Sequence, residues 1–276
     1  MTKHIRSHVT ESRREENQVN RMAKLPSRLI YEVIRRDGEE ELDRPMTALL
    51  WSGVAAGLLI SASVLGEGIL MAYLPDNGAS FLIENLGYSL GFLLVIIGRM
   101  QLFTENTITT VLPLAADPRL AMFGKVARLW MSVLAANVVG AACAAVFLTQ
   151  SGVLDEAVYA AVLEISEHAT SYGVTEGFVK SIPAGVLIAA IVWMMPSAED
   201  AKFAIIVTFT WLIAAGDFLH IVAGTVEAST MILVGGLSLV DAISRFFLPV
   251  LGGNIVGGTL VFTLLAWAQV KEEVEK

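Results

Sequence analysis

The chain has few of the residues on which disulfide-bonded or catalytic domains depend. It contains one cysteine, Cys143, in 276 residues, so no disulfide can form within it. Charged residues make up only 17% of the chain. The polar tails hold no glycine-rich phosphate loop, no metal-ligand cluster and no nucleophile motif. We therefore expect a protein that is not an enzyme, needs no cofactor or metal, and has no nucleic-acid partner.

Apolar residues are abundant instead, at 55% of the chain with a mean hydropathy of +0.64. Such a composition is typical of a multi-pass membrane protein. The first 45 residues are charged and lack the apolar stretch of a cleavable signal peptide. We expect a cytoplasmic charged tail with a short amphipathic helix, a six-span transmembrane domain and a cytoplasmic C-terminal tail, at residues 1–45, 46–269 and 270–276.

Six apolar runs predict six transmembrane segments, because a bilayer core is about 30 Å thick. Their approximate bounds are 46–73, 81–116, 129–148, 178–196, 203–236 and 246–269. Loops are expected at 117–128 and around Asp241 and Arg245, and a short surface helix at 158–165. Lys and Arg crowd the N-terminus and the loop at 117–128, so the positive-inside rule places both termini in the cytoplasm.

The second and fifth runs are too long for one straight crossing. The 33 residues from Phe203 to Gly235 would form a helix of about 50 Å. Polar residues gather in the middle of each run, namely Arg99, Gln101, Thr104, Glu105 and Asn106 in the second, and Asp217, His220, Thr225 and Glu227 in the fifth. Irregular backbone at membrane depth is stable only inside protein or beside water. We therefore predict that both helices break at a pore.

An internal repeat predicts the architecture. Residues Val133–Gly140 recur as Val250–Gly257, at an offset of 117. Two further matches are Leu102–Phe103 with Leu219–His220, at the same offset, and Ala56–Ala62 with Ala184–Ala190. Because each copy holds three spans, an odd number, the copies must be inverted in the membrane. The expected fold class is an all-α membrane protein of six transmembrane helices in two inverted three-helix repeats, with helices 2 and 5 broken.

Three motifs resemble the formate/nitrite transporter family. They are Leu102–Asn106, the region Gly216–Ala223 with His220, and Gly253–Gly258, and the resemblance covers about residues 47–267. The stretch Ile30–Leu42 resembles the tail of the YfdC-like inner-membrane branch of that family. The resemblance implies an aquaporin-like fold, a homopentamer, and a place in the bacterial cytoplasmic membrane, where lipid is a partner.

The resemblance also implies roles for individual residues. In the family, a loop threonine and a central histidine face each other across a narrow pore beside an apolar constriction, which corresponds here to Thr104, His220 and Phe103. Members pass small monovalent anions such as formate, nitrite or hydrosulfide, often with a proton. Glu105 stands where the family usually has a small residue.

Other residues of the predicted site follow from position and chemistry. A histidine can take or give a proton near neutral pH, so His220 is a candidate proton donor; alternatively it is a buried neutral side chain bonded to Thr104 or to backbone. Leu219 is a candidate constriction residue, and Glu227, two turns past His220, is a candidate pore residue. We predict an ion pair between Arg99 and Glu105. The repeat-related Asn137 and Asn254 either tie the broken loops in place or touch the solute.

We predict a channel or transporter for small monovalent anions, pH-gated or proton-linked through the central histidine. One alternative is a passive aquaporin-like pore for small neutral solutes, although neither break carries an Asn-Pro-Ala motif. The other is a non-transporting membrane scaffold or sensor that acts through the charged N-terminus.

Overall fold

A computed structural model describes residues 25–274, and all the regular elements in that range are helical. The predicted tails therefore lie partly outside the described residues. Helices α1 to α6 are Ser27–Asp43, Met46–Leu59, Ser61–Tyr73, Gly78–Glu84, Ser89–Ile97 and Phe103–Thr109. Helices α7 to α12 are Val111–Ala116, Leu120–Gln150, Glu156–Thr170, Val174–Met194, Lys202–Ala215 and Ile221–Leu233. Helix α13, Leu239–Val274, contains two π-helical stretches.

Five helical stretches of the described chain are long and apolar enough to cross a membrane. Their bounds are Met46–Tyr73, Gly78–Ile97, Leu120–Gln150, Val174–Ser197 and Leu239–Val274. Helices α11 and α12 are apolar but shorter. The run that includes them is interrupted near its middle, and so is the run that includes α5 and α6.

Two predicted loops extend too far. The loop expected at 117–128 covers only residues 117–119, and the loop expected around Asp241 and Arg245 lies earlier, at residues 234–238. Helix α8 begins at Leu120, and its Lys125 reaches Asp43 of α1 at 2.6 Å between Nζ and Oδ1. Helix α13 begins at Leu239, and there Arg245 pairs with Asp241 four residues earlier. Charges at this spacing lie on one helix face and stabilise it, so they do not mark a loop.

Glycines bring the membrane helices into backbone contact at two crossings. A Cβ atom on Gly140 of α8 would lie 2.2 Å from the carbonyl oxygen of Val54 in α2. A Cβ atom on Gly257 of α13 would lie 2.0 Å from the carbonyl oxygen of Ile182 in α10. Small residues allow such close approach of helices in lipid. The two crossings hold the interrupted segments between them.

Helix α1 packs on the described domain through one apolar face. It buries Ile30, Tyr31, Ile34 and Leu42. Its Gly38 lies so near the backbone of α6 that a Cβ atom there would be 1.9 Å from the carbonyl oxygen of Thr109. Helix α1 therefore packs closely against the backbone of α6.

Candidate functional site at the two helix breaks

The two breaks have the same backbone geometry. Helices α5 and α11 both end on a glycine, Gly98 and Gly216 respectively. The next residues, Arg99 and Asp217, adopt left-handed conformations with φ of 52° and 53°. This conformation costs a non-glycine residue roughly 1–2 kcal/mol. The same strained turn is thus used twice to stop a helix and redirect the chain.

Asn137 of α8 holds the first break. Its Oδ1 accepts a hydrogen bond from the backbone N–H of Phe103 at 2.9 Å. Its Nδ2 donates to the carbonyl oxygens of Gly53 and Gln101, both at 2.8 Å. One buried amide thereby satisfies the N–H of Phe103 and the carbonyl of Gln101 at the break, and ties both to the carbonyl of Gly53 in α2.

Asn254 of α13 holds the second break in the same way. Its Oδ1 accepts from the N–H of Ile221 at 2.8 Å, and its Nδ2 donates to the carbonyls of Ser181 and Leu219 at 2.8 and 2.9 Å. Two roles were considered for these asparagines. In the structure, both Asn137 and Asn254 bind the backbone of the broken loops.

The predicted register at the breaks is wrong by one residue. The asparagines bind Phe103 and Ile221, which lie 118 positions apart, not 117. His220 is the N-cap residue of α12, and Leu102 holds the same position at α6. The sequence repeat cannot show this shift, because the residues around the two breaks are not alike. Thr104 and His220 therefore occupy different positions of the repeat.

His220 and Thr104 meet between the two breaks. The Thr104 Oγ1 lies 2.7 Å from His220 Nε2, and both residues are buried. His220 Nδ1 accepts a hydrogen bond from the N–H of Ala223 at 3.3 Å. Because a backbone N–H can only donate, Nδ1 carries no hydrogen, and Nε2–H donates to Thr104. The imidazole is neutral in this arrangement, and the Thr104 hydroxyl hydrogen remains available to a solute.

Two aromatic residues that the sequence analysis missed surround the histidine. The Phe92 ring stands edge-on to His220 with centroids 5.0 Å apart, and Tyr88 packs against Phe92 at 5.3 Å. Phe103, predicted at the constriction, is buried and packs edge-on against Trp130. The four-residue spacing of the aromatic pair at the start of α5 was the available signal, since such residues share a helix face.

Two cavities open near the two breaks, and the second of them reaches His220. The α1 vestibule, of about 780 Å³, reaches Arg99 and Glu105, and it is also lined by Asp37, Glu40, Glu41 and Arg44. The second vestibule, of about 290 Å³, reaches His220 and Leu219, and it is also lined by Glu67, Tyr88, His168, Asp217 and Glu227. The predicted polar residues are thus divided between two cavities.

The predicted Arg99–Glu105 ion pair is wrong. Arg99 is exposed and forms no ion pair with any residue in the described range. Both side chains line the α1 vestibule, so water can solvate each of them without the other. Asp217 instead pairs with Lys180 at 2.8 Å and also contacts Tyr172 and His168.

Gln101 connects α1 to the first break. Its backbone N–H donates to Ser52 Oγ at 3.0 Å, and its Nε2 donates to Glu41 Oε1 of α1 at 2.7 Å. Its Oε1 accepts from Asn106 Nδ2 at 3.3 Å. The sequence analysis did not find Glu41, because nothing in the local pattern shows that a charged tail reaches the break.

Burial raises the pKa of the Glu41 carboxyl, against the weaker opposing effect of the Gln101 hydrogen bond. The docked state of α1 therefore favours protonated Glu41. Docking is most stable at acidic pH and weakens as pH rises through the raised pKa. Glu41→Gln, which keeps a hydrogen-bonding group, should reduce that pH dependence. The pH dependence of α1 docking is measured by hydrogen exchange of residues 27–43 at pH 5 and pH 8, corrected for intrinsic rates.

Glu40→Gln is the matched control, since Glu40 is exposed on the same helix. This variant should keep the wild-type difference in hydrogen-exchange protection of α1 between pH 5 and pH 8. Equal protection of α1 at both pH values in the wild type would contradict the role assigned to Glu41.

A helical domain with two clamped breaks that meet at a histidine, with a cavity near each break, defines a membrane channel or transporter fold. The chain belongs to the formate/nitrite transporter family, whose model matches residues 28–268. It is 45% identical to the Inner membrane protein YfdC of Escherichia coli K12 over 91% of this chain and 82% of the relative.

Solved structures share the fold. An FNT family ion channel superposes with a TM-score of 0.74 at 19% identity, over 88% of this chain and 98% of that chain. A pentameric formate channel with formate bound superposes with a TM-score of 0.68 at 19% identity, over 84% and 98% of the two chains.

Proposed function

We propose that this protein is a multi-pass channel or transporter of the bacterial inner membrane for small monovalent anions of the formate, nitrite or hydrosulfide class. The observation that carries the proposal is the buried Thr104–His220 contact of 2.7 Å at the two breaks, next to a vestibule that His220 lines. Transport is proton-linked or pH-gated, with His220 at the narrowest polar point of the path.

The electrostatics of the centre support an anion. Helices α6 and α12 both begin there, and the start of a helix carries partial positive charge. Half-helix N-termini that meet at the midplane are a recurring substrate site in transporters. The Thr104 hydroxyl hydrogen supplies a donor for the solute, and Phe92 and Leu219 keep the surroundings apolar.

We infer six crossings in two inverted repeats, with α11 and α12 together forming the fifth. The paired asparagine clamps, the paired left-handed turns and the paired glycine crossings support the repeat. The connecting segments 74–77, 151–173 (which includes α9) and 234–238 hold no Lys or Arg, which supports cytoplasmic termini and a cytoplasmic α1 vestibule. A reporter fused after residue 276 that is active only in the periplasm would contradict this orientation.

We propose a homopentamer with one pore in each subunit. The membership of the family and the likeness to a channel described as pentameric support it. Native mass spectrometry from detergent tests it directly, and a mass of one subunit would contradict it.

Flux into proteoliposomes tests the function. Formate, nitrite, hydrosulfide and glycerol are offered in turn at pH 5 and pH 7.5. We expect the anions to pass faster than glycerol, and to pass at different rates at the two pH values. Equal rates for glycerol and the anions would identify a passive pore for neutral solutes, and no flux of any solute would favour a scaffold.

His220→Asn should keep the fold and flatten the pH dependence of flux. Asparagine is among the most favourable N-cap residues, so it can accept the Ala223 N–H bond, while its amide can donate to Thr104. It cannot titrate, whereas a histidine side chain can bind and release a proton. The measurement is formate uptake into inside-out vesicles, in which the α1 vestibule faces the external medium.

Thermal unfolding in detergent is the control, since an intact cap predicts little change in the melting temperature. A wild-type pH profile in His220→Asn would show that His220 is structural and that the titrating group lies elsewhere.

A further inference from the structure

Two glutamates beside the central histidine have no partner. Glu227 of α12 is only 6% exposed and lines the second vestibule, and Glu67 of α3 lines the same cavity. Neither carboxyl makes a hydrogen bond or an ion pair with any residue between 25 and 274. A buried carboxylate without a partner is unfavourable unless it binds a proton or a ligand.

The other acidic group of this cavity is already compensated. Asp217 accepts from Lys180 Nζ at 2.8 Å and from the Tyr172 hydroxyl, and His168 Nε2 lies 3.2 Å from it. These contacts reach Asp217 from helices α9 and α10 and the loop between them. They neutralise the aspartate in place, so it does not set the charge of the vestibule.

The remaining groups that face the pair do not offset its charge. Tyr88 and the neutral His220 line the cavity. Glu84 of α4 adds negative potential near Glu67, and the two glutamates repel each other. The net charge of the cavity beside His220 therefore depends on whether Glu67 and Glu227 are protonated.

We propose that Glu67 and Glu227 form a proton-binding pair that decides whether an anion can enter the second vestibule. When protonated, the pair is neutral and offers carboxyl O–H donors to the anion. When ionised, it repels anions from the approach to His220. The protons come from water in the vestibule and return to it, and no bond to the solute is made. This proposal rests on the proposed anion transport.

The size of the cavity makes the effect large. An anion inside a space of about 290 Å³ cannot lie far from either carboxylate. One unit charge about 10 Å away, at an effective dielectric constant of about 20, changes the occupancy of an anion by roughly tenfold or more. Entry from this side should therefore respond steeply to pH.

The test is Glu227→Gln, a permanent neutral form of the same shape. Uptake of labelled formate is measured in right-side-out membrane vesicles, which present the second vestibule to the medium, at external pH 5 and pH 7.5. We expect wild-type uptake to be faster at pH 5. In Glu227→Gln, uptake at pH 7.5 should rise about tenfold, toward the wild-type rate at pH 5, since one repelling charge is gone.

Two further variants make the result specific. Glu67→Gln should change uptake in the same direction, and it is better tolerated because Glu67 is half-buried. Glu164→Gln removes an equal charge from the exposed face of α9, so it should keep the wild-type ratio of the two rates.

Unchanged ratios in both Glu227→Gln and Glu67→Gln would overturn the proton-binding pair while anion transport stands. Loss of uptake at both pH values, in variants that elute as folded protein, would also overturn it, because a neutral side chain should admit the anion. A wild type that takes up no more formate than empty vesicles at either pH would instead reject the proposed function itself.

Discussion

Asn254→Ala should leave little folded protein. The change removes three hydrogen bonds, to the N–H of Ile221 and to the carbonyls of Ser181 and Leu219, at a position with no exposure. A buried backbone group that loses its partner costs about 1–3 kcal/mol. The N–H of Ile221 and the carbonyl of Leu219 lie at the break, so the loss of both takes a large share of the roughly 5–15 kcal/mol that stabilises a typical domain. Water cannot replace the amide without opening the break.

The yield of folded protein is measured by size-exclusion chromatography in detergent. The melting temperature of the folded fraction is measured as well. Asn77→Ala is the control, because Asn77 also accepts two backbone bonds, from Ala79 and Ser80, but at an exposed helix start. It should cost about 1 kcal/mol. Similar melting temperatures for the two variants would show that Asn254 does not hold the break.

Gly140→Ala should separate α2 from α8 and strongly lower stability. The new methyl carbon would meet the Val54 carbonyl oxygen at 2.2 Å and the Leu58 nitrogen at 2.8 Å. These are backbone atoms of a long helix, so no side chain can move aside. Overpacking typically costs about 1–3 kcal/mol, and more where the backbone must shift. Because Asn137 lies one turn away, the first break should be displaced as well.

Gly124→Ala in the same helix is the matched control. No atom lies within 4 Å of a Cβ built there, and alanine is the better helix former by about 0.5–1 kcal/mol. We expect its melting temperature to equal or exceed that of the wild type. The assay is thermal unfolding of both variants together with formate flux, and comparable flux and melting temperature in the two would refute the close crossing.

The sequence alone determined the helical membrane class, the position of both breaks and the family. The class and the breaks follow from local composition, since an apolar run longer than a bilayer must be interrupted and polar residues cluster where it is. The family follows from the resemblance of three motifs. The short surface helix at 158–165 was also predictable, and α9 begins where Asp155 caps it through the N–H of Val158. The resemblance of the motifs also implied that Thr104 and His220 face each other, and the two side chains are in contact.

Only the tertiary structure decided which residues meet. In the structure Arg99 and Glu105 do not form the predicted ion pair, and Phe92 lies beside His220. It also shifted the register of the repeat by one residue through the asparagine clamps. Pairing depends on the directions in which side chains leave a strained turn or a helix start, and those directions depend on neighbouring helices distant in sequence. Local patterns therefore located the site, whereas packing between the two halves determined its contacts.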